Sequence, residues 1–349
     1  PQARARWVIG PGFGRGRQAG TGPAQAPGMT TLSARHADAA THVVHVPEEP
    51  DAATRTRLYR AARRGELRAL APGVYIPTHS WLALDDDTRY LLIITAARSR
   101  LRSDDVLSHW SAAALWGLPL IGSWPQKVHV TAPVDSSRTS TTVLQRHRRA
   151  LAHPAHVVNG FTVTDLAETV IDISRVASFA TAVAMGDAAL RRREKPGSST
   201  LVRGASRADI AAALAAAPEK RGRARARRVV EFIDAGADRP GESLSRVTMH
   251  LLGVPAPVLQ HRIVTQSGAV YYLDFFWPDQ GIGGDFDGRI KYVDPAYRGG
   301  RTADQVVADE KVREDEVRLE LRGYGRWDWT VAGSPRDLGE RLRRIGLRW

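Results

Sequence analysis

The sequence predicts a multidomain α/β protein, of α+β arrangement overall, and three observations carry that prediction. A basic helix followed by a strand–turn–strand opens the ordered part of the chain, and mixed helices and strands fill its middle. Near the end, two strands that each carry an aspartate flank a short turn. With 349 residues the chain is too long for one ordinary core. It divides by composition at 1–33, 34–80, 81–192, 193–235 and 236–349.

Residues 1–33 read as a disordered extension, because Gly, Ala, Arg and Pro dominate 1–28 and a more ordinary sequence begins at Met29. Residues 34–80 have the layout of a winged helix-turn-helix. A helix-like start from Ala34 to Ala40 leads to Val43–Val46 and a break at Glu48-Glu49-Pro50. Asp51 can N-cap a helix from Ala52 to Arg64 that Gly65 ends. Leu58, Ala61 and Ala62 form its apolar stripe, and Arg55, Arg57, Arg60, Arg63 and Arg64 occupy most of the remainder. The strand carrying Arg68, the turn Ala71-Pro72-Gly73 and the strand Val74-Tyr75-Ile76 complete a wing. Such a helix can enter a major groove while the wing touches flanking phosphates. An amphipathic helix with a solvated arginine face is the plainer alternative.

In the mixed region 81–192, helices are expected over Thr88 to Arg100, Val106 to Trp116 and Asp165 to Leu190, and strands over Lys127 to Ala132 and Gly160 to Thr164. His109, beside Trp110 and Trp116, reads as a packing histidine, and Arg146-His147-Arg148-Arg149 as a solvated loop or a phosphate contact. The stretch 193–235 reads as a linker at Lys195-Pro196-Gly197-Ser198-Ser199, then a helix capped by Ser206, then a basic helix. That last helix, with Arg225, Arg227 and Arg228, is a candidate for tracking a nucleic-acid backbone.

From about Gly236 the order becomes helix, strand, strand, strand, helix, strand, helix. Glu242 falls in the first turn of the first helix, Leu259 to Thr265 is a strand, and Ala303 to Leu321 is a long helix that Gly323 breaks. Trp327 to Val331 is expected as a strand, and Ser334-Pro335 starts the last helix. Between them, Pro278-Asp279-Gln280-Gly281 fits a hairpin loop built on a type I turn. A loop centred there sets Asp274 opposite Asp285 and Tyr272 opposite Asp287, with Asp285 and Asp287 on one face. Directly opposed Cβ atoms lie roughly 4.5–5.5 Å apart, so the like charges ask for a cation between them. Three carboxylates on one side of a hairpin point to a divalent-metal site.

Net charge adds a partner class. It is +13, and the four arginines of residues 1–28 leave +9 on the rest, which points to a polyanion, nucleic acid foremost. There is no cysteine, which excludes disulfides and thiolate zinc sites and fits a cytoplasmic protein. The longest apolar run, Tyr90 to Ala97, is far too short to span a bilayer, and the first residues lack a signal-peptide core, so no membrane partner is expected.

Glu242, then Asp274 on a strand, then Asp285-Phe286-Asp287-Gly288 on the next strand resembles the PD-(D/E)xK nuclease superfamily. The resemblance is nearest to the Vsr-like endonuclease domains at the C-termini of uncharacterised actinobacterial proteins. Glu310-Lys311-Val312-Arg313-Glu314-Asp315 and Gly323-Tyr324-Gly325-Arg326-Trp327 resemble the same domains. Residues 34–190 resemble the AbiEi-type antitoxin of type IV toxin–antitoxin systems, through Arg63-Arg64-Gly65-Glu66-Leu67-Arg68, Gly73-Val74-Tyr75 and the stretch Ser111 to Pro119.

These resemblances imply a restriction-endonuclease-like C-terminal domain in which Asp274, Asp285 and Glu242 hold Mg²⁺ for phosphodiester hydrolysis. The superfamily places a lysine two residues after the second acid. Here that position is Asp287, with Lys291 the nearest lysine, so the implied catalytic set is Asp274, Asp285, Asp287, Lys291 and Glu242. Arg313 or Arg318 could face the phosphate or serve as surface ion-pair partners. The expected function is a DNA-binding protein with a Mg²⁺-dependent endonuclease domain, in defence or DNA processing. Two alternatives stay open: an antitoxin-like transcriptional repressor whose nuclease fold has degenerated, and an antitoxin that binds a cognate toxin protein.

Overall fold

The computed structural model describes residues 38–46, 51–191, 204–217, 220–288 and 302–349. Expectations about residues 1–37, Glu48-Glu49-Pro50, the Lys195–Ser199 linker and Lys291 lie outside the described residues. The fold is the expected multidomain α/β one, with three separate sheets among its helices.

In the N-terminal unit, residues 38–40 are helical and β1 (Val44–His45), β3 (Val74–Pro77) and β2 (Leu67–Ala71) form an antiparallel sheet in that order. The Asp51 carboxylate caps α1 (Ala52–Arg63), accepting from Ala53 N–H at 3.2 Å and Thr54 N–H at 2.7 Å. Gly65, at φ +79°, ends it: Gly65 N–H reaches Ala62 O and Glu66 N–H reaches Ala61 O, a Schellman arrangement. No residue of α1 is fully buried. The core here is Leu70, Val74, Ile76 and Trp81, the last on α2 (Thr78–Leu82), closed by Leu92 and Ala96 of α3 (Asp86–Ala96).

The middle sheet has the order β6-β5-β4-β8-β7, from β4 (Val106–Leu107), β5 (Val128–Ala132), β6 (Leu144–Arg148), β7 (His156–Val158) and β8 (Phe161–Val163). The helix expected from Val106 starts later, as α4 (His109–Leu115), because Val106 and Leu107 pair with β5 and Leu107 also with β8. The helix expected from Asp165 to Leu190 is two, α5 (Leu166–Val176) and α6 (Phe179–Arg191). Ala177 turns extended between them, and Ser178 Oγ accepts from Thr181 N–H at 3.2 Å to start the second. Helices α7 (Arg207–Ala216) and α8 (Arg223–Phe232), in the segment expected as linker and basic helix, bury Ile210, Ala213, Val229 and Val230 in the same core as Val170 and Ile171. Ser206 and Asp209 form a capping box at the start of α7.

In the C-terminal unit, α9 (Pro240–Leu251), β9 (Val258–Val264), β10 (Val270–Trp277), β11 (Ile282–Phe286), α10 (Ala303–Leu319) and β12 (Gly323–Trp327) appear in the expected order. The sheet order is β12-β11-β10-β9, antiparallel from β9 to β11 and parallel between β11 and β12. Met249, Phe275, Trp277, Phe286, Trp327 and Leu342 make the main core, and a smaller cluster joins Leu273, Val317 and Tyr324. The strand expected at Trp327–Val331 is corrected to Gly323–Trp327. Gly323 serves a close approach there, since a Cβ would lie 2.0 Å from the Ile345 carbonyl oxygen. Asp328 ends the strand by capping α11 (Trp329–Ala332), and α12 (Pro335–Arg344) follows with Ser334 as its cap.

The middle and C-terminal units share a buried joint. Asp187 of α6 accepts from Ser243 Oγ at 2.7 Å and pairs with Arg246 at 2.9 Å, both on α9, and takes Asp234 N–H at 2.6 Å. Burial pushes its carboxyl up to about 6 against those partners. No helix among the described residues is long and apolar enough to cross a membrane.

Candidate functional site

The turn Pro278–Gly281 closes with Gly281 N–H on Pro278 O at 3.2 Å and Gly281 at φ +64°. It pairs Phe275 with Gly284, Phe276 with Gly283 and Trp277 with Ile282, which is the expected register. One step further, side chains replace the backbone ladder. Asp274 N–H donates to Asp285 Oδ1 at 3.0 Å, and Phe286 N–H donates to Asp274 Oδ2 at 2.8 Å. On the other side of β10, the register Leu273 to His261 and Phe275 to Leu259 sets Gln260 opposite Asp274. Asp285 is paired with Arg326 of β12. Gln260, Asp274, Asp285 and Arg326 therefore form one row across all four strands.

Glu242 joins the row from α9. A Cβ on Gly241 would lie 2.1 Å from the Phe286 ring, so glycine lets the start of α9 come close to β11. Glu242 is buried and accepts from Asp238 N–H at 2.7 Å. The Gln260 amide nitrogen lies 3.3 Å from Glu242 Oε2 and 3.2 Å from Asp274 Oδ1, so one donor serves two acids. Gln260 sits at φ +48°, a left-handed backbone that disfavours a side-chain-bearing residue by roughly 1–2 kcal/mol. Burial, and then the neighbouring Asp274 charge, push the Glu242 carboxyl well above the usual carboxylate range.

Asp285 is held differently. Its Oδ2 accepts from Arg313 Nη2 at 2.9 Å and from Tyr324 OH at 2.7 Å. Arg313 also donates to Tyr272 O at 2.9 Å. Burial and the Asp285 charge push the Tyr324 hydroxyl upward, so it stays a donor. The repulsion between the opposed aspartates is thus met on the Asp285 side by a guanidinium and a phenol. Asp287 pairs with Arg326 at 3.2 Å, and Arg326 also reaches Glu310 at 3.0 Å on α10. Arg318 pairs with Glu314 at 2.5 Å on the exposed side of α10.

Glu242, Asp274 and a Gln260 amide that can turn its oxygen inward make a hard, oxygen-only donor set. A buried Glu242 and a half-buried Asp274 sharing one amide hydrogen-bond donor are the donor type that Mg²⁺ takes, one or two carboxylates with waters and substrate oxygens completing its shell. Among the described residues, one trio has ligand atoms all within 4.8 Å of one another; it is His109, His129 and His147, not the acidic set.

The basic residues considered for DNA divide by engagement. Arg64 pairs with Glu66 at 2.6 Å, Arg68 lies over the Trp81 ring at 4.7 Å, and Arg57 reaches Thr54 Oγ1 at 3.3 Å on its own helix. Arg55, Arg57, Arg60 and Arg63 lie on a helix with no fully buried residue. On α8, Arg225, Arg227 and Arg228 are all exposed; Arg225 donates to Ala177 O and Arg228 lies 5.0 Å over Phe179, so these two also have a packing role.

No protein-family model matches the chain. It is 30% identical over 186 residues to two uncharacterized Mycobacterium tuberculosis proteins, MT2308 and Rv2248, from strains CDC 1551 / Oshkosh and ATCC 25618 / H37Rv. Each match covers 53% of this chain and 64% of the relative. The chain is also similar to the crystal structure of the RV2827C protein of the same organism, at 14% identity and a TM-score of 0.33, over 69% of this chain and 91% of that one.

Several residues that shape these sites escape a sequence reading. Gln260 has no motif, and only the β9–β10 register reveals it. His109 is not solitary, since β5 and β6 bring His129 and His147 to it. The solvated-loop reading of Arg146–Arg149 is corrected. Residues through Arg148 form β6, Arg146 pairs with buried Asp105 at 3.2 Å, and Arg149 is itself buried between Glu168 and Asp172.

Proposed function

We propose that the chain is a DNA-binding protein whose C-terminal unit hydrolyses phosphodiesters with Mg²⁺. The observation that carries this reading is the row Gln260, Asp274 and Asp285 with Glu242 against it, on a unit ordered helix, three strands, helix, strand. Glu242 and Asp274 are the carboxylates that would hold the ion, with Asp285 contributing beside them. The bound ion would polarise the phosphate and sharpen the attacking water.

The chain's own residues supply the rest. Glu242, which holds its proton more tightly than an ordinary carboxylic acid, would give it up on taking the ion, so ion binding should strengthen as pH rises. Arg313, 2.9 Å from Asp285, supplies positive charge that the lysine position, Asp287, lacks. A guanidinium stays charged, so Arg313 can offset phosphate charge but cannot serve as a base. Asp287 holds Arg326 in place. The exposed arginines of α1 and the +9 outside residues 1–28 support duplex binding.

The test is supercoiled plasmid incubated with Mg²⁺ and either the wild-type protein or an Asp274→Ala/Asp285→Ala variant. Nicking or linearisation by the wild type alone is expected. Equal, negligible cleavage by both would leave the second reading, an antitoxin-like DNA-binding repressor. A specific observation favours that reading: both oxygens of Asp285 are already engaged, and Asp287 stands in the lysine position, paired with Arg326.

A further inference from the structure

The three histidines of the middle unit come from three elements. His109 is the first residue of α4, His129 lies within β5, and His147 lies on β6, the edge strand. Strands β5 and β6 run parallel, pairing His129 with Gln145 and Thr131 with His147, so the two histidines are diagonal neighbours. His129 Nδ1 is 3.1 Å from His147 Nε2, and the His109 and His147 rings stack at 3.7 Å. One ligand nitrogen from each lies within 4.8 Å of the others.

We infer that His109, His129 and His147 form a binding site for a divalent transition-metal ion of the zinc class, separate from the acidic row of the C-terminal sheet. Imidazole nitrogens bind Zn²⁺ at about 2.0–2.1 Å, which places two of them on one tetrahedral ion roughly 3.3 Å apart. The His129–His147 separation of 3.1 Å is already near that value, and the stacked His109 ring needs to turn away from His147 to complete the set. Nitrogen donors select Zn²⁺, Co²⁺, Ni²⁺ or Cu²⁺ over Mg²⁺. Three protein ligands leave a fourth position open to water or another ligand.

The surroundings are those of an ordered ligand set. His109 is buried and sits at φ +49°, a left-handed conformation that a histidine seldom adopts without a surrounding structure to hold it. Its Nδ1 lies 3.0 Å from Ser108 Oγ and 3.5 Å from Asp172 Oδ2. With Nδ1 protonated toward Asp172, Nε2 is left with its lone pair, the carboxylate–histidine–metal relation common at such sites. Asp172 is fixed in turn by Arg149 at 2.7 Å. His129 and His147 are only half-buried, which gives an ion a way in.

The test is titration of the full chain with Co²⁺, read by visible ligand-field absorption and competed with Zn²⁺, for wild type, His129→Gln, His147→Gln and Asp274→Ala. One Co²⁺ per wild-type chain is expected, displaced by Zn²⁺, with affinity lowered about tenfold or more in each histidine variant. Asp274→Ala should keep the band. Circular dichroism reports whether each variant is folded. If the glutamine variants unfold, histidine ring-proton NMR of the wild type decides: three histidine spin systems shifting together at one Zn²⁺ equivalent support the site. No saturable band in the wild type, an unchanged band in both folded histidine variants, or no three-histidine NMR shift would overturn it.

Discussion

Gln260 faces Asp274 across β9 and β10, and its one amide nitrogen serves two acids, Asp274 at 3.2 Å and Glu242 at 3.3 Å. Asp238 N–H also donates to Glu242 and Phe286 N–H to Asp274, so the donors around the buried Glu242 and the half-buried Asp274 are neutral groups. This arrangement underlies the proposed cation site on the row, and it has measurable consequences.

Glu242 is predicted to make stability fall with rising pH. Its folded-state value is raised, so its stabilising contribution is full below the unfolded value and is lost as pH rises through the folded one. Glu242→Gln removes that dependence. Urea midpoints across pH should show the variant gaining on the wild type toward about pH 8, where a charged, buried carboxylate beside Asp274 disfavours folding. Parallel profiles for the two proteins would mean that Glu242 is not held in this way.

Arg313 is predicted to be a structural partner of Asp285 whatever else it does. Removing one member of a buried ion pair leaves an uncompensated charge and typically costs about 3–5 kcal/mol. Arg313→Met should lower stability by that order, and Asp285→Asn added to it should recover much of the loss. Chemical denaturation of the single and double variants makes the comparison. A loss below about 1 kcal/mol, as for exposed pairs, would contradict the buried pairing.

Replacing Arg57 and Arg60 on α1 by alanine should weaken DNA binding across sequences and flatten its salt dependence. Each lost phosphate contact lowers the slope of log affinity against log salt by about 0.9. Arg225→Ala should instead lower stability, because its guanidinium holds the Ala177 carbonyl. Fluorescence anisotropy at several salt concentrations, with melting curves alongside, separates the two groups.

His129 carries a pH dependence of the opposite sign. Its folded value is depressed from 6.5 to about 3, by burial and then by His147. Its contribution is therefore full above about 6.5 and is lost as pH falls toward about 3, each unit being worth about 1.4 kcal/mol. His129→Gln should be less sensitive to acid than the wild type, as followed by circular dichroism from pH 7 downward.

What the sequence revealed follows the range of the interactions involved. The Asp51 cap, the Gly65 stop, the Ser206 capping box and the hairpin register that opposes Asp274 and Asp285 all arise within a few residues of chain. Strict alternation along β10 and β11 then fixed which residues share a face. The break at Ala177-Ser178 was hidden because alanine favours helix on either side of it. Gln260 and the histidine trio were illegible for another reason: they depend on registers between strands separated by loops, and on a parallel pairing that no local pattern encodes. Arg149 looked like one more surface arginine, yet Glu168 and Asp172, from a distant helix, bury it.

The measurement closest to the central claim is thermal unfolding of the full chain at about pH 8 with increasing Mg²⁺, for wild type, Glu242→Gln and Asp274→Asn. An ion held between Glu242 and Asp274 raises the wild-type midpoint in a saturable way and leaves both variants nearly unmoved. A wild-type midpoint that does not respond to Mg²⁺, or that rises equally in Asp274→Asn, would contradict a cation site on this row.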